Sequence, residues 1–330
     1  MKMSAKRIEV MKTIEGSMED LLKEYLRPIN ENWQPSDFLP SAKDAGFSQQ
    51  VKELQEVAGE MDTDLLNVLI GDTITEEALP TYESWLMNVD GVDAGDREGW
   101  AKWVRGWTAE ETRHGDLLSK YIYLTGRVNM RQVEVSTQHL INDGFDIMTG
   151  TDPYRNFVYT SFQETATNIS HRRVASLAQK AGNRRLAEIC GIIAADEKRH
   201  ARAYMNFSRR IFVLDPSEMM LAFQDMMKRK IVMPAHYLRE TGGPISGIFA
   251  PFADAAQRIG VYTTKDYIDI LKTLLRIWEI DKITGLNDEG AQARDFLMAL
   301  PKRLERIASR VKVSEDRFAF KWDAQVEVAA

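Results

Sequence analysis

Apolar residues recur at three- and four-residue intervals along most of this chain, the period of a helix that buries one face. Trp100, Val104, Trp107, Leu118 and Tyr121 form one such lane, and Leu186, Ile189, Ile193, Tyr204 and Phe207 form another. The same period predicts helices near 49–88, 97–125, 130–143, 153–181, 183–210, 216–232, 264–284 and 288–311. An amphipathic N-terminal segment with Ile8, Met11, Met18, Leu22 and Tyr25 on one side precedes them. Turn signals fall at DGVDAGD, GTDP and AGN. RPINENWQPSDFLPSAKDAGF reads as a long surface loop, RETGGPISGIFAPF as irregular, and the tail FAFKWDAQVEV as a short strand or extended arm. Strand-type alternation is nearly absent elsewhere, so the expected class is all-α. No linker divides the chain, and one domain is expected over 1–330. Its parts are an N-terminal helix and Pro-rich loop (1–48), a bundle core (about 49–210), and C-terminal helices with a tail (211–330).

Polar residues interrupt the two apolar lanes in a matched way. Glu111 and His114 lie inside the first, and Glu197 and His200 inside the second, where a solvated face would not put them. Each pair is a Glu-x-x-His motif, ETRH at 111–114 and EKRH at 197–200. Each follows another glutamate, Glu76 by 35 residues and Glu164 by 33. Two antiparallel helices joined by a turn bring residues about that far apart to the same height. Glu164 shares a face with Phe157, Thr160, Thr167 and His171, and Glu76 follows Leu66, Leu69 and Thr73. Spacing alone does not choose Glu76 over Glu77, nor Glu111 over Glu110. Burying a lone charge costs several kcal/mol, so these groups must be paired with one another or bound to a cation. A buried salt-bridge network is the competing explanation. One Glu from each of two helices and a Glu-x-x-His from each of two others is the ligand set of di-iron and di-manganese carboxylate sites in four-helix bundles. The expected architecture is therefore a carboxylate-bridged two-metal four-helix bundle with additional flanking helices.

Composition narrows the chemistry. No apolar run reaches 18 residues and mean hydropathy is negative, so no membrane span is expected. The first residues lack the apolar core of a secretory signal. The expectation is a soluble protein, cytoplasmic if bacterial and stromal if it is the mature form of a plant or algal plastid protein. Cys190 is the only cysteine, which excludes an internal disulfide and a cysteine-held iron–sulfur cluster. No G-x-G-x-x-G follows a strand, so no flavin or nucleotide site is expected and electrons must come from another protein. A net charge of −6 argues against general nucleic-acid binding. Local basic clusters nonetheless occur at Arg172 and Arg173, at Arg184 and Arg185, and at Lys228, Arg229 and Lys230, the last being candidates for docking an acidic partner.

Long stretches of the chain, among them NWQPSDFLP, GDTITEEALPTYESWL, GWTAEETRHGDLLSKYIYLTGRVNMRQ, YTSFQETATNISH, ICGIIAADEKRHARAY, LAFQDMMKRKIVMPAH and DKITGLNDEG, resemble the soluble acyl-acyl carrier protein desaturases of plant plastids and their bacterial relatives. The resemblance runs from about residue 6 to the end. It implies a stearoyl-type enzyme that uses O2 and ferredoxin to place a cis double bond in a saturated acyl chain on acyl carrier protein, as a homodimer. It implies a ferritin-like di-iron core holding two Fe ions per chain, with Glu76, Glu111, His114, Glu164, Glu197 and His200 as the ligands, and a route for electrons through Trp33, Asp196 and His114. Such a centre suits the task, because an unactivated methylene has no acidic proton and general acid–base catalysis cannot remove its hydrogen. Thr167, one turn beyond Glu164, is a candidate hydroxyl on the oxygen side, or a helix residue returning its hydroxyl to the backbone. Positions matching Trp85, Ile147 and Asn156 line the deep end of the substrate channel in relatives, where Met, Pro and Gly occur. The bulk of these three implies a preference for acyl groups of 16 carbons or fewer, against which Val89, smaller than the Leu of relatives, acts; Phe157 is expected along the same channel. A related di-iron hydroxylase or oxygenase, and a ferritin-like iron-oxidising protein, are the alternatives. DGVDAGDREGW is about three residues shorter than in the plant enzymes, and RETGGPISGIFAPF differs in length and content.

Overall fold

The structure, a computed structural model, describes residues 5–324. Helices α1 (Ala5–Glu15) and α2 (Met18–Tyr25) lead into the Pro-rich loop, which carries two short 3-10 turns at Ile29–Glu31 and Pro35–Asp37. Then follow α3 (Phe47–Gly59), α4 (Thr63–Glu77), α5 (Leu79–Met87), α6 (Gly99–Thr125), α7 (Met130–Asp143), α8 (Pro153–Lys180) and α9 (Arg184–Leu214). The C-terminal part comprises α10 (Pro216–Arg229), α11 (Phe249–Arg258), α12 (Thr264–Ile277) and α13 (Asp288–Ala308). The all-α expectation holds: among the described residues no strand forms.

Helices α4, α6, α8 and α9 make the bundle, with α8 and α9 joined as a hairpin, α4 against α6, and α6 against α9. Helices α1 and α2 lie on α9 and α6 at one side; at another α10 lies on α8 and α9, α12 on α8, and α13 packs on α10 and α12. The hairpin turns at Gly182, whose φ of 79° is left-handed, before Asn183 starts α9 by accepting from the Leu186 N–H. Asp152 starts α8 in the same way, with Pro153 in the first turn, where its missing N–H costs no bond. The bundle interior is aromatic. Trp100, Trp103 and Trp107 project from successive turns of α6, and Phe157, Tyr204 and Phe207 meet Trp100 or Trp103 at centroid distances of 4.9–5.7 Å.

Four expectations are corrected. The helix expected over 49–88 is three helices. The Asp62 carboxylate accepts from the N–H groups of Asp64 and Leu65 and begins α4 afresh. Pro80 lies in the first turn of α5 and could not continue α4, so the chain breaks at Ala78. The second half of the segment expected to be irregular begins α11, whose Phe252 seats on Gly71 of α4; a Cβ at Gly71 would lie 2.1 Å from the Phe252 ring. Helix α12 stops at Ile277 rather than near 284, because Glu279 turns into the left-handed region at φ 49°. The tail makes one antiparallel bridge, Val128 with Asp323, and no strand. Trp322 is buried there and donates to Ser136 Oγ at 3.0 Å. Residues 325–328 of the expected arm lie outside the described residues.

Candidate metal centre

Glu76 sits one residue before the end of α4, Glu111 and His114 lie mid-way along α6, Glu164 on α8, and Glu197 and His200 on α9. The bundle brings all six together. Glu76, Glu111, His114 and Glu197 each place one ligand atom within 4.8 Å of the others, and so do Glu111, Glu164 and His200. Glu111 belongs to both groups, so the two form one double site. His114 Nδ1 lies 3.1 Å from both Glu111 Oε2 and Glu197 Oε1, and 3.8 Å from Glu76 Oε2. His200 Nδ1 lies 2.5 Å from Glu111 Oε1 and 3.7 Å from Glu164 Oε2. Glu76 and Glu111 face the cluster, and their neighbours do not. Glu77 turns toward Ser119 and Thr137, and Glu110 approaches His200 from behind at 2.8 Å from Nε2.

The donor set fits a pair of metal ions. Glu111 Oε1, Glu164 Oε2 and the Nδ1 atoms of both histidines are fully buried and make no well-formed hydrogen bond, although they converge on one another. Buried polar atoms without partners are costly, and a cation among them would satisfy all four. Mixed carboxylate and imidazole donors suit iron or manganese.

Each ligand is held from behind, as metal-bound imidazoles and carboxylates generally are. Asp196 Oδ2 stands 3.5 Å from His114 Nε2. Arg199 contacts both Asp196, at 2.7 Å, and Glu110, so one guanidinium ties together the carboxylates behind the two histidines. Trp33 donates from Nε1 to Asp196 at 2.9 Å, and its ring lies parallel to His114 with centroids 6.0 Å apart. Arg113 covers that indole at 4.2 Å while bonding Asp196 at 3.0 Å and the Trp33 carbonyl at 2.9 Å. Trp33, Asp196 and His114 thus form one continuous array from the Pro-rich loop inward. Trp107 donates from Nε1 to Glu164 Oε1 at 3.2 Å. The Thr167 hydroxyl is within reach of the Gln163 and Glu164 carbonyls, at 3.2 and 3.1 Å, and also of the Glu197 carboxylate. Backbone return and contact with a ligand are both open to it.

Electrostatics reflect the crowding of carboxylates. Burial pushes Glu76 up to about 7 and Glu164 well above the carboxylate range, the latter helped by the charges of Glu197 and Glu111. Glu111 is held down at about 2 by the two histidines, against its own burial. Burial opposes charging of the histidines, but Glu111 and the neighbouring carboxylates win, raising His200 to about 9 and His114 well above its ordinary value. Without a cation, the cluster would keep protons in order to stay buried.

A cavity of about 960 Å³ opens beside this centre. Glu76, Glu111, Trp107 and Thr167 stand at its inner wall; Leu79, Tyr82, Phe162 and Phe252 are among its apolar sides. Lys228, Arg229, Lys230 and Arg303 belong to its lining and are exposed, which marks the mouth. Helix α11, missed from the sequence, builds one wall. The five residues expected along a deep channel, Trp85, Val89, Ile147, Asn156 and Phe157, do not line this cavity. Trp85 stands behind Tyr82, forming with it and Phe145 an edge-to-face cluster at 4.7–6.0 Å. Phe157 packs against Trp100 and Phe207, and the Asn156 carbonyl accepts from the Thr160 hydroxyl. Sequence reasoning also missed the supporting groups Glu110, Arg113 and Arg199. Arg113 and Arg199 lie inside the two Glu-x-x-His motifs and Glu110 directly precedes the first, which was the one available signal, since charges beside buried ligands need partners of their own.

Comparison with known proteins agrees with this geometry. A family model described as fatty acid desaturase matches residues 6–325. The chain is 48% identical to the chloroplastic stearoyl-(acyl-carrier-protein) 9-desaturase of Spinacia oleracea, over 99% of this chain and 83% of that one. It is also 48% identical to palmitoyl-(acyl-carrier-protein) 4-desaturase 3 of Ophrys sphegodes, over 93% of this chain and 77% of that one. Among solved structures, a putative acyl-ACP desaturase, DesA2 of Mycobacterium tuberculosis, superposes with a TM-score of 0.53 at 16% identity, covering 86% of this chain and 99% of the other, a likeness of fold. No helix among the described residues is long and apolar enough to cross a membrane. This chain belongs to the fatty acid desaturase family, and within it to the acyl-acyl carrier protein desaturases.

Proposed function

We propose that this desaturase introduces a cis double bond into a saturated acyl chain carried on acyl carrier protein, at a di-iron centre held by Glu76, Glu111, His114, Glu164, Glu197 and His200. The observation that carries the reading is the double ligand cluster sharing Glu111 at the inner wall of an apolar cavity. Two irons bound there would supply what side chains lack, the use of O2 to oxidise an unactivated methylene. In balance, the substrate loses two hydrogens, and O2 with two electrons and two protons leaves as two waters.

The protein's own residues bind, orient and exclude water. Leu79, Phe162, Phe252 and their neighbours shelter the acyl chain, each buried methylene contributing about 0.8 kcal/mol. Lys228, Arg229 and Lys230, with Arg303, meet the negative charge of the carrier at the mouth, while the chain threads inward. The Thr167 hydroxyl, beside Glu197 and on the cavity wall, is positioned to hand a proton toward the oxygen side of the centre. No electron-carrying group has a motif in this chain, so a ferredoxin is the proposed donor. Trp33, Asp196 and His114 supply its path inward, supported by the stacking and the 2.9 Å bond between them. The enzyme acts as a homodimer in this reading.

The test is mass analysis of acyl groups after incubating acyl carrier protein substrates with the enzyme, reduced ferredoxin and O2. Loss of two hydrogens supports the proposal. Gain of one oxygen would identify a hydroxylase, and unchanged acyl groups with deposited iron would identify an iron-oxidising protein.

A further inference from the structure

The two end carboxylates of the centre are anchored alike but by different groups. Glu164 points Oε2 toward His200 and gives Oε1 to the Trp107 indole N–H at 3.2 Å. Glu76 points Oε2 toward His114 and gives Oε1 to His171 Nε2 at 3.0 Å. An ionised Glu76, as a metal ligand would be, only accepts, so Nε2 of His171 would carry the proton. His171 is 1% exposed and lies two turns beyond Glu164 on α8, on the face that also carries Thr167. It is not among the residues whose atoms converge as ligands. Its other nitrogen, Nδ1, is buried without a well-formed hydrogen bond, and the Cys190 thiol lies against the ring. Next to it, Ser170 donates to Asp72 at 3.0 Å, tying α8 to α4 one turn before Glu76.

The position of Glu76 makes this support consequential. Glu76 is the penultimate residue of α4, immediately before the break forced by Pro80, where helix backbone is least constrained. Glu111, Glu164, Glu197 and both histidines sit well inside their helices, and their backbones are held on both sides. Glu76 therefore depends on a side-chain contact for its orientation more than any other ligand does. His171 also lines the acyl cavity, so it stands where substrate, α4 and the centre meet.

We propose that His171 is a positioning residue. By donating to Oε1 of Glu76 it turns Oε2 toward Glu111, Glu197 and His114, and so sets how tightly the Glu76 half of the centre holds its metal. This rests on the di-iron reading above. Removing such a supporting partner typically lowers metal affinity 10–100-fold.

The experiment uses the iron-loaded full-length chain and counts iron per chain as a chelator is titrated, with visible absorption of the oxidised centre recorded in parallel. The wild-type chain should release its two irons together at high chelator. His171→Ala should release one iron at a chelator concentration 10–100-fold lower, lose the absorption of the paired centre at that step, and keep the second iron. His171→Gln, which retains an N–H donor, should restore most of the difference. Circular dichroism of His171→Gln checks that the fold is intact, so the comparison survives even if His171→Ala folds poorly. Two irons in His171→Ala with wild-type retention, or equal weakening in His171→Ala and His171→Gln, overturns the positioning role and leaves the di-iron reading standing. Fewer than two irons in the wild-type chain overturns the di-iron reading, and this role with it.

Discussion

Glu111 is the side chain on which both halves of the centre depend, since its two oxygens face the two histidines at 3.1 and 2.5 Å. Glu111→Ala should accordingly remove both irons, whereas Glu164→Ala should remove one; metal analysis of the purified variants distinguishes them. O2-dependent turnover should fall at least a hundredfold in each. Proton linkage gives a second expectation. The folded value of Glu76 lies above the ordinary carboxylate value, so its stabilising effect is complete below about 4.5 and lost as pH rises through about 7. That of His200 is complete below about 6.5 and lost as pH rises through about 9. Glu111, held down at about 2, acts oppositely and only in strong acid. The metal-free chain should therefore lose thermal stability between pH 6 and 9. Metal displaces the same protons, and at a thousandfold excess over Kd stabilises by about 4.1 kcal/mol per site. The Tm difference between loaded and metal-free protein should widen over that range, as calorimetry at three pH values would show. A constant difference would contradict this account of the cluster.

At the scale of elements, the seat of α11 on α4 shapes the cavity. Gly71→Ala would drive a Cβ into the Phe252 ring, which faces the cavity and is itself buried, so α11 must shift. Overpacking of this kind costs about 1–3 kcal/mol. Denaturant unfolding should show that loss together with a raised KM for acyl substrate, and Phe252→Ala in the same chain should recover part of the stability. This contact could not be read from the sequence, because a glycine in an apolar lane gives no sign of which ring will cover it. The break between α3 and α4 was hidden for a related reason. Leu54, Met61, Leu65 and Leu69 are all buried, so the helical period runs straight through the turn. What ends α3 is remote: Arg127, beyond the end of α6, donates to the carbonyls of Ala58 and Met61 at 2.8 and 2.6 Å. The ligand helices α6, α8 and α9 were legible because their apolar lanes are long and their caps local.

At the scale of the whole molecule, the cavity joins a cationic mouth to the candidate metal centre, and each end carries an expectation. Lys228→Glu combined with Arg303→Glu should raise KM for the carrier-bound substrate at least tenfold with little change in kcat. Raising salt from 50 to 300 mM should weaken wild-type binding in the same sense, since screening acts on exposed charges. Trp85 and Phe145 pack on Tyr82, which alone of the three lines the cavity. Relatives at equal identity act on stearoyl and palmitoyl chains, so overall similarity does not choose between them. We expect the bulk behind Tyr82 to favour 16 carbons or fewer, and kcat/KM across an acyl series tests this; a clear preference for 18 carbons would contradict it. One methylene is worth about 1–3 kcal/mol in such discrimination.

By itself the sequence determined the helical class and located the candidate ligand cluster, leaving open only Glu76 or Glu77 and Glu110 or Glu111, through a local cause. Carboxylates and imidazoles inside apolar lanes are costly unless something binds them, and that cost is visible wherever the periodicity is. Only the tertiary structure decided that Glu111 is shared, that Asp196 and Glu110 stand behind the histidines, and that His171 holds Glu76. It also decided which apolar side chains enclose space rather than fill it: Trp85 and Phe157 pack into aromatic clusters, while Phe252, from a segment with no clear period, lines the cavity. Those facts depend on the approach of helices distant in sequence, and approach is a property of packing that no residue carries alone.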